Sequence, residues 1–159
     1  MFDFSKNYFE LFGMPVGFVL DADELSARYR ELQKVVHPDR YAASGGHSQR
    51  LSLQGATLVN EAYQTLKDPL TRAQYLLTLK GAGLGDRERT LNDPAFLMQQ
   101  MELREALADV RGSGDPQSEL DALMQQISGM IKSQIAQLAV QFEDSSPEQL
   151  DAAAQTVQK

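Results

Sequence analysis

Apolar residues recur at helical spacing along most of the chain. The clearest stripe consists of Leu25, Tyr29, Leu32 and Val36, which would lie on one face of a helix. Asp21 precedes this stripe and is typical of a helix N-cap, so the pattern predicts a helix with one buried face. Strand-like alternation of apolar and polar residues is absent from the sequence, which favours an all-α fold.

Other parts of the chain repeat this helical periodicity. In the first half, helices are predicted at 7–12, 51–66 and 70–79. Three later helix starts share one design, in which a capping side chain precedes a proline at the first helical position: Asp93-Pro94, Asp115-Pro116 and Ser146-Pro147. The last helix has no stop signal before Lys159, so the chain is expected to end inside it. The core positions predicted for the last two helices are Leu120, Leu123, Ile127, Ile131, Leu138, Phe142, Leu150, Ala154 and Val157.

A change of composition between residues 80 and 92 predicts a domain boundary. This segment contains three glycines in Gly81-Ala82-Gly83-Leu84-Gly85, followed by the charge run Asp86-Arg87-Glu88-Arg89. We therefore predict an N-terminal domain at 1–79, a linker at 80–92 and a C-terminal domain at 93–159.

Composition excludes several classes of protein. The chain has no cysteine and two histidines, which excludes disulfides, thiol catalysis and a cysteine-ligated metal site, and we expect no cofactor or metal. The N-terminus lacks the pattern of a secretion signal, and no apolar run is long enough to span a bilayer. We therefore expect a cytoplasmic protein that does not bind membranes.

Charge is unevenly distributed between the two halves. Residues 1–80 carry nine basic and nine acidic side chains, whereas residues 81–159 carry six basic and thirteen acidic ones, which gives the net charge of −7. Neither half has the broad basic surface of a nucleic-acid-binding protein. A small basic cluster remains, and it could steer a protein–protein encounter. Its members are Arg28, Arg30, Lys34 and Arg40.

The tripeptide His37-Pro38-Asp39 lies inside this basic cluster. Pro38 disfavours helical geometry at His37, so the preceding helix should end there. Taken alone, the tripeptide fits a helix stop followed by a turn-forming aspartate. Its position between two amphipathic helices also fits a compact, exposed docking point for another protein.

Residues 7–77 resemble a J-domain, the module by which co-chaperones engage DnaK-type ATPase chaperones. The resemblance lies in Tyr8-Phe9-Glu10-Leu11-Phe12-Gly13, in His37-Pro38-Asp39, in the segment 60–66 and in the segment 68–75. It implies that His37, Pro38 and Asp39 contact the chaperone near its nucleotide-binding domain. It further implies that basic residues pair with acidic groups there, namely Arg28, Arg30 and Lys34, with Arg40 and Arg72 as weaker candidates.

The helix that starts at Asp93-Pro94 carries two apolar faces. With Phe96 at 0° on a helical wheel, Leu103, Leu107 and Val110 lie within about 40° of it and form the predicted core face. Leu97, Met98 and Met101 lie at about 100–200°, as a second patch. The polar neighbours of this patch are Glu102, Arg104 and Glu105. An apolar patch with a polar rim is typical of a binding surface, although a neighbouring helix or the linker could instead cover it.

The segment 96–105 is similar to the start of the C-terminal domain of the HscB family, and 146–153 is similar to its last helix. In that family a J-domain is joined to a three-helix bundle that binds the iron–sulfur scaffold protein IscU. The resemblance implies that Leu97, Met98 and Met101 hold the scaffold, with Glu102, Arg104 and Glu105 beside them. The chain stops before the leucine- and phenylalanine-rich end of that helix, and it lacks the N-terminal zinc module of eukaryotic members, which favours a bacterial protein.

These observations together predict a co-chaperone without catalytic residues. We expect it to bind an IscU-type scaffold, to deliver it to an HscA-type chaperone and to stimulate ATP hydrolysis by that chaperone. A general J-domain adaptor with a different client is the first alternative. An enzyme that uses His37 and Asp39 as an acid–base pair, or His37 as a metal ligand, is the second. A purely structural helical protein is the third, and it leaves the context of His37-Pro38-Asp39 unexplained.

Overall fold

A computed structural model describes residues 3–41, 45–82, 93–144 and 146–159. Within these ranges every regular element is helical, which confirms the predicted all-α fold. The chain divides into two compact units, Met1–Leu79 and Lys80–Lys159. Most of the predicted linker lies outside the described residues. None of the helices in the described ranges is long and apolar enough to cross a membrane.

In its described residues the N-terminal unit contains four α-helices and one short 3₁₀ helix. The α-helices are α1 (Tyr8–Leu11), α2 (Ala22–Val36), α3 (Gly46–Lys67) and α4 (Pro69–Leu79), and the 3₁₀ helix is Pro38–Tyr41. The helix predicted at 51–66 is longer in the structure, because α3 already begins at Gly46 and ends at Lys67; residues 42–44 lie outside the described ranges.

The C-terminal unit contains three helices in its described part, as predicted. They are α5 (Pro94–Val110), α6 (Pro116–Glu143) and α7 (Pro147–Val157). Each starts at the predicted cap: the side chains of Asp93, Asp115 and Ser146 accept hydrogen bonds from backbone amides three residues later, at 3.1, 3.2 and 3.4 Å. A cap of this type satisfies one of the free amides of the first turn, which is why the helix begins at that residue.

The core of the N-terminal unit lies between α2, α3 and the short helices at either end. Its largest fully buried side chains are Phe9, Leu25, Val59, Leu66, Leu76 and Leu77. The predicted α2 stripe is only partly buried: Leu25 and Val36 are buried, but Tyr29 and Leu32 are half-exposed. Tyr29 instead stacks on Tyr63 of α3, with ring centroids 4.1 Å apart.

A second aromatic pair joins the two ends of this unit. Tyr8 of α1 stacks on Tyr75 of α4 with ring centroids 4.4 Å apart, and the Tyr75 hydroxyl accepts a hydrogen bond from the Tyr8 amide at 3.0 Å. Burial, followed by the nearby charge of Glu61, raises the pKa of the Tyr8 hydroxyl. The pair fixes α1 against α4 across 67 residues of sequence.

Most of the buried core of the C-terminal unit lies at the C-terminal end of α6, and Leu123 near the start of α6 is buried as well. Leu138 and Phe142 are buried, together with Leu150 and Ala153 of α7. The prediction was wrong for Ile127 and Ile131, which are exposed. The reason is length: at about 1.5 Å per residue, α7 is less than half as long as α6 and can cover only part of its apolar face.

Candidate functional site

The His37-Pro38-Asp39 turn begins where α2 ends. His37 is the C-cap of α2 and has extended backbone angles (φ −62°, ψ 129°). Pro38 cannot donate the next helical hydrogen bond, because it has no backbone N–H. The chain then enters the 3₁₀ helix, in which the Arg40 amide donates to the His37 carbonyl oxygen at 3.1 Å. The turn is therefore a compact corner with its own hydrogen bond.

The polar side chains of this corner face solvent. The exposed fraction of the side chain is 54% for His37 and 89% for Asp39. The Asp39 amide donates to His37 Nδ1 at 3.3 Å, and the Asp39 carboxylate lies 3.5 Å from the same nitrogen. Among the residues that the structure describes, no cluster of three or more His, Cys, Asp or Glu side chains is arranged to hold a metal ion. The arrangement suits recognition of a partner by an exposed, locally ordered pair.

The predicted basic residues around the corner fall into two groups. Arg30 and Lys34 are exposed on α2. Arg40 is also exposed, but its guanidinium donates to the Lys34 carbonyl oxygen at 3.2 Å and so helps to hold the turn. Arg30 and Lys34 present charge that a partner can reach, and their pairing with acidic groups of a chaperone stays a prediction.

Arg28 is used inside the unit. Its Nη1 donates to the carbonyl oxygens of Phe12 and Gly13, both at 2.8 Å, and its Nη2 pairs with Glu24 one turn earlier. The guanidinium of Arg28 therefore fastens the segment after α1 to α2. About 40% of the side chain stays exposed, and a contact between Arg28 and a chaperone stays a prediction.

Arg72 is buried, with 8% of the residue exposed. Its Nη1 donates to the Leu66 carbonyl oxygen at 2.8 Å, and its guanidinium carbon lies 5.0 Å from the centre of the Phe18 ring. Burial lowers the pKa of Arg72, while the charge of Asp68 opposes this shift. The expectation that Arg72 contacts a chaperone is therefore corrected: Arg72 is a structural residue that joins α4 to the end of α3.

The predicted apolar patch on α5 is open to solvent. Leu97, Met98 and Met101 are between 49% and 65% exposed. Their polar neighbours Glu102, Arg104 and Glu105 are exposed as well. The predicted core face of α5 differs from the prediction, because Leu107 is exposed while Phe96, Leu103 and Val110 are only half-buried. Within the described residues, no helix of the C-terminal unit covers the patch.

The start of α5 is tied to the last residue of the chain. The Lys159 ammonium pairs with the Asp93 carboxylate and lies 6.0 Å from the centre of the Phe96 ring. This hydrogen bond to Lys159, together with the one from the Phe96 amide, holds the pKa of Asp93 below its ordinary value. The sequence predicted Asp93 as a cap but gave no indication of its partner.

Sequence reasoning missed the polar contacts between α2 and α3. The Ser52 hydroxyl donates to the Val36 carbonyl oxygen at 2.6 Å, and Ser52 is buried. The Tyr29 hydroxyl donates to the Asn60 side-chain oxygen at 2.7 Å. A signal for Ser52 was available: it lies at helical spacing on the buried face of α3. The other members of that face are Gly55, Val59, Ala62 and Leu66.

Comparisons with known proteins agree with both halves of this description. The family model described as the DnaJ domain matches residues 7–75, and the model described as the HSCB C-terminal oligomerisation domain matches residues 92–159. A relative from Aliivibrio salmonicida, named co-chaperone protein HscB homolog, is 48% identical over 153 residues, which cover 96% of this chain and 88% of the relative. A relative of the same name from Vibrio cholerae is 47% identical over 139 residues, or 87% of this chain and 81% of the relative.

Two solved structures are also similar to this chain. Chaperone HscB from Vibrio cholerae superposes with a TM-score of 0.83 at 43% identity and covers 96% of this chain and 88% of its own. Human co-chaperone protein HscB superposes with a TM-score of 0.85 at 29% identity and covers 98% of this chain and 75% of its own. The N-terminal unit thus carries a J-domain, and the C-terminal unit carries the domain typical of HscB. The chain belongs to the HscB family of J-domain co-chaperones.

Proposed function

We propose that the chain brings an IscU-type scaffold protein to an HscA-type chaperone of the DnaK family and stimulates ATP hydrolysis by that chaperone. The observation that carries the proposal is the exposed His37–Asp39 corner at the end of a helix whose Arg30 and Lys34 also face solvent. Exposed charges of this kind set the orientation and rate of an encounter, while the corner provides the specific contact.

The stimulation is allosteric, and the chain acts by binding its partner. A ligand changes the activity of a chaperone only if it binds one conformational state more tightly than another. The J-domain would stabilise the state of the chaperone that hydrolyses ATP, with His37 and Asp39 as the contact groups. The reacting atoms remain in the chaperone.

The C-terminal unit supplies the second binding surface. Leu97, Met98 and Met101 form an exposed apolar patch, which is the usual composition of the centre of a protein interface. Methionine side chains are flexible and can adapt to the shape of a partner. Glu102, Arg104 and Glu105 would form the polar rim, where hydrogen bonds and charge give specificity. Because the chain has no cysteine, it can hold the scaffold without offering a thiolate to the iron–sulfur cluster.

The proposal is tested by measuring ATP hydrolysis of an HscA-type and a general DnaK-type chaperone side by side, each with and without scaffold. We expect the chain to stimulate the HscA-type chaperone, and the scaffold to increase the stimulation further. Equal stimulation of both chaperones with no effect of scaffold would support a general J-domain adaptor instead. Failure to stimulate either chaperone would contradict the proposal.

A further inference from the structure

The last carbonyl group of α2 receives its hydrogen bond from a different helix. The Ser52 hydroxyl of α3 donates to the Val36 carbonyl oxygen at 2.6 Å, and 5% of Ser52 is exposed. Val36 is itself buried and immediately precedes His37. This contact is therefore a buried polar link between α3 and the residue from which the corner begins.

The corner removes the donors that a continuing helix would supply. The Lys34 carbonyl oxygen would normally accept from the amide of residue 38, but Pro38 has none. The Val36 carbonyl oxygen would accept from the Arg40 amide, but that amide donates to the His37 carbonyl oxygen instead. The Arg40 guanidinium and the Ser52 hydroxyl occupy the two vacated places, at 3.2 Å and 2.6 Å.

We propose that Ser52 is a positioning residue that fixes the orientation of the His37-Pro38-Asp39 corner for the chaperone; this rests on the proposed function. A buried carbonyl oxygen without a donor is costly, so the bend at Val36 and His37 is favoured while the Ser52 hydroxyl satisfies it. Without the hydroxyl, Val36 must turn toward water or toward another donor, and the backbone angles of His37 change with it.

The expected consequence is a smaller population of the docking-competent corner. Apparent affinity falls in proportion to that population, whereas saturating protein still reaches the same bound state. The S52A variant should therefore need about three- to tenfold more protein for half-maximal ATPase stimulation, while maximal stimulation is retained. A variant of His37 or Asp39 differs, because it lacks the contact groups themselves.

The matched control is Y75F, which also removes one hydroxyl from a part-buried hydrogen bond in this unit. Tyr75 contacts Tyr8 and so joins α4 to α1, whereas the contact between Ser52 and Val36 joins α3 to α2. Both variants are compared in the 159-residue chain at a temperature where circular dichroism shows them folded. Amide hydrogen exchange of Arg40, whose N–H donates to His37, reports the order of the corner directly. If S52A does not fold, S52C replaces it, since a thiol has similar shape and is a weak donor.

The positioning role is supported if S52A raises the half-maximal concentration and speeds exchange of the Arg40 amide, while Y75F stays within about twofold of the unchanged protein. It is overturned if S52A behaves like the unchanged protein, or if Y75F shows the same rise. If the unchanged protein does not stimulate a chaperone at all, the proposed function fails. The hydrogen-exchange rate of the Arg40 amide then tests the positioning role by itself. Faster exchange in S52A than in Y75F supports that role, and equal rates overturn it.

Discussion

Nη1 of Arg28 lies 2.8 Å from the carbonyl oxygen of Gly13 and 2.7 Å from the place that a β-carbon on Gly13 would occupy. Gly13 has a φ of +62°, which side chains other than glycine rarely adopt. The glycine and the arginine therefore depend on each other. The segment after α1 can take this path because Gly13 leaves room for the guanidinium that holds it.

Replacing this glycine should destabilise the N-terminal unit. We expect G13A to lower the free energy of unfolding by about 1–3 kcal/mol, from left-handed backbone strain and from displacement of Arg28. Urea denaturation followed by circular dichroism measures the change. Gly17 provides the control, because a β-carbon there would have no neighbour within 4 Å. G17A as destabilising as G13A would contradict the explanation.

The chaperone contact of the corner can be tested on the two histidines of the chain. H37Q should reduce ATPase stimulation by at least about tenfold, because it removes the imidazole from the proposed contact, while helix content stays the same. H47Q changes the other histidine, which is exposed in the first turn of α3, and should have no effect. Full stimulation by H37Q would refute the docking assignment.

Variants of Arg72 and Arg30 should separate an effect on the stability of the N-terminal unit from an effect on chaperone binding. R72A should destabilise the N-terminal unit by about 2 kcal/mol, because it removes the hydrogen bond to Leu66, the contact with Phe18 and buried packing. R30A should leave stability unchanged and slow association with the chaperone, most clearly at low salt. Denaturation curves and stopped-flow binding measure the two effects. Loss of association in folded R72A, with stability unchanged, would restore Arg72 as a contact residue.

The role of the apolar patch on α5 can be tested by measuring affinity for the scaffold. Replacement of Leu97, Met98 and Met101 together by alanine should weaken binding by more than about tenfold, or roughly 1.4 kcal/mol, in calorimetry. The control replaces three exposed apolar residues on α6, Met124, Ile127 and Ile131, in the same way.

The α6 variant should bind the scaffold like the unchanged protein. The oligomeric state of both triple variants, measured by sedimentation, shows whether either surface instead joins copies of this chain. Unchanged affinity of the α5 variant would refute the patch.

The Asp93–Lys159 contact predicts a pH dependence. Since the pKa of Asp93 is lowered in the folded state, its carboxylate stabilises the fold above the unfolded pKa of roughly 3.9, and this contribution is lost as the pH falls toward the folded value. D93N retains an oxygen that can cap α5 but has no charge to lose. As the pH falls from about 6 to about 3, through the range in which a carboxyl group titrates, the Tm of the unchanged protein should therefore fall more steeply than that of D93N.

Removing the partner charge gives a second check on that pH dependence. K159A should flatten the curve in the same direction as D93N, because the hydrogen bond to Lys159 is the main cause of the shift. Parallel curves for all three proteins would show that the contact does not contribute to stability in solution.

Local features of this fold were predictable, because their causes lie within a few residues. Asp93, Asp115 and Ser146 start helices as predicted, since a cap needs only its own first turn. The end of α2 at Val36 follows in the same way from Pro38. The exposed positions of His37 and Asp39 agree with the surface turn that the tripeptide predicted.

Features that depend on distant partners were not predictable from periodicity. A stripe shows which face of a helix is apolar but not what covers it, which is why Ile131 and Leu107 are exposed against expectation. The resemblance to a J-domain gave Arg72 as a weaker candidate for a chaperone contact, whereas its buried acceptor lies on the preceding helix. The roles of Arg28 and Ser52 likewise required the three-dimensional contacts.

The stacked pair Tyr8 and Tyr75 has a consequence for how the J-domain comes apart. Because it joins the first and fourth helices across 67 residues, neither end can fray without breaking a contact made by the other. Closing so long a loop costs entropy that is recovered only when both helices are in place. The J-domain should therefore melt in a single cooperative step, and removing α1 should loosen α4 as well.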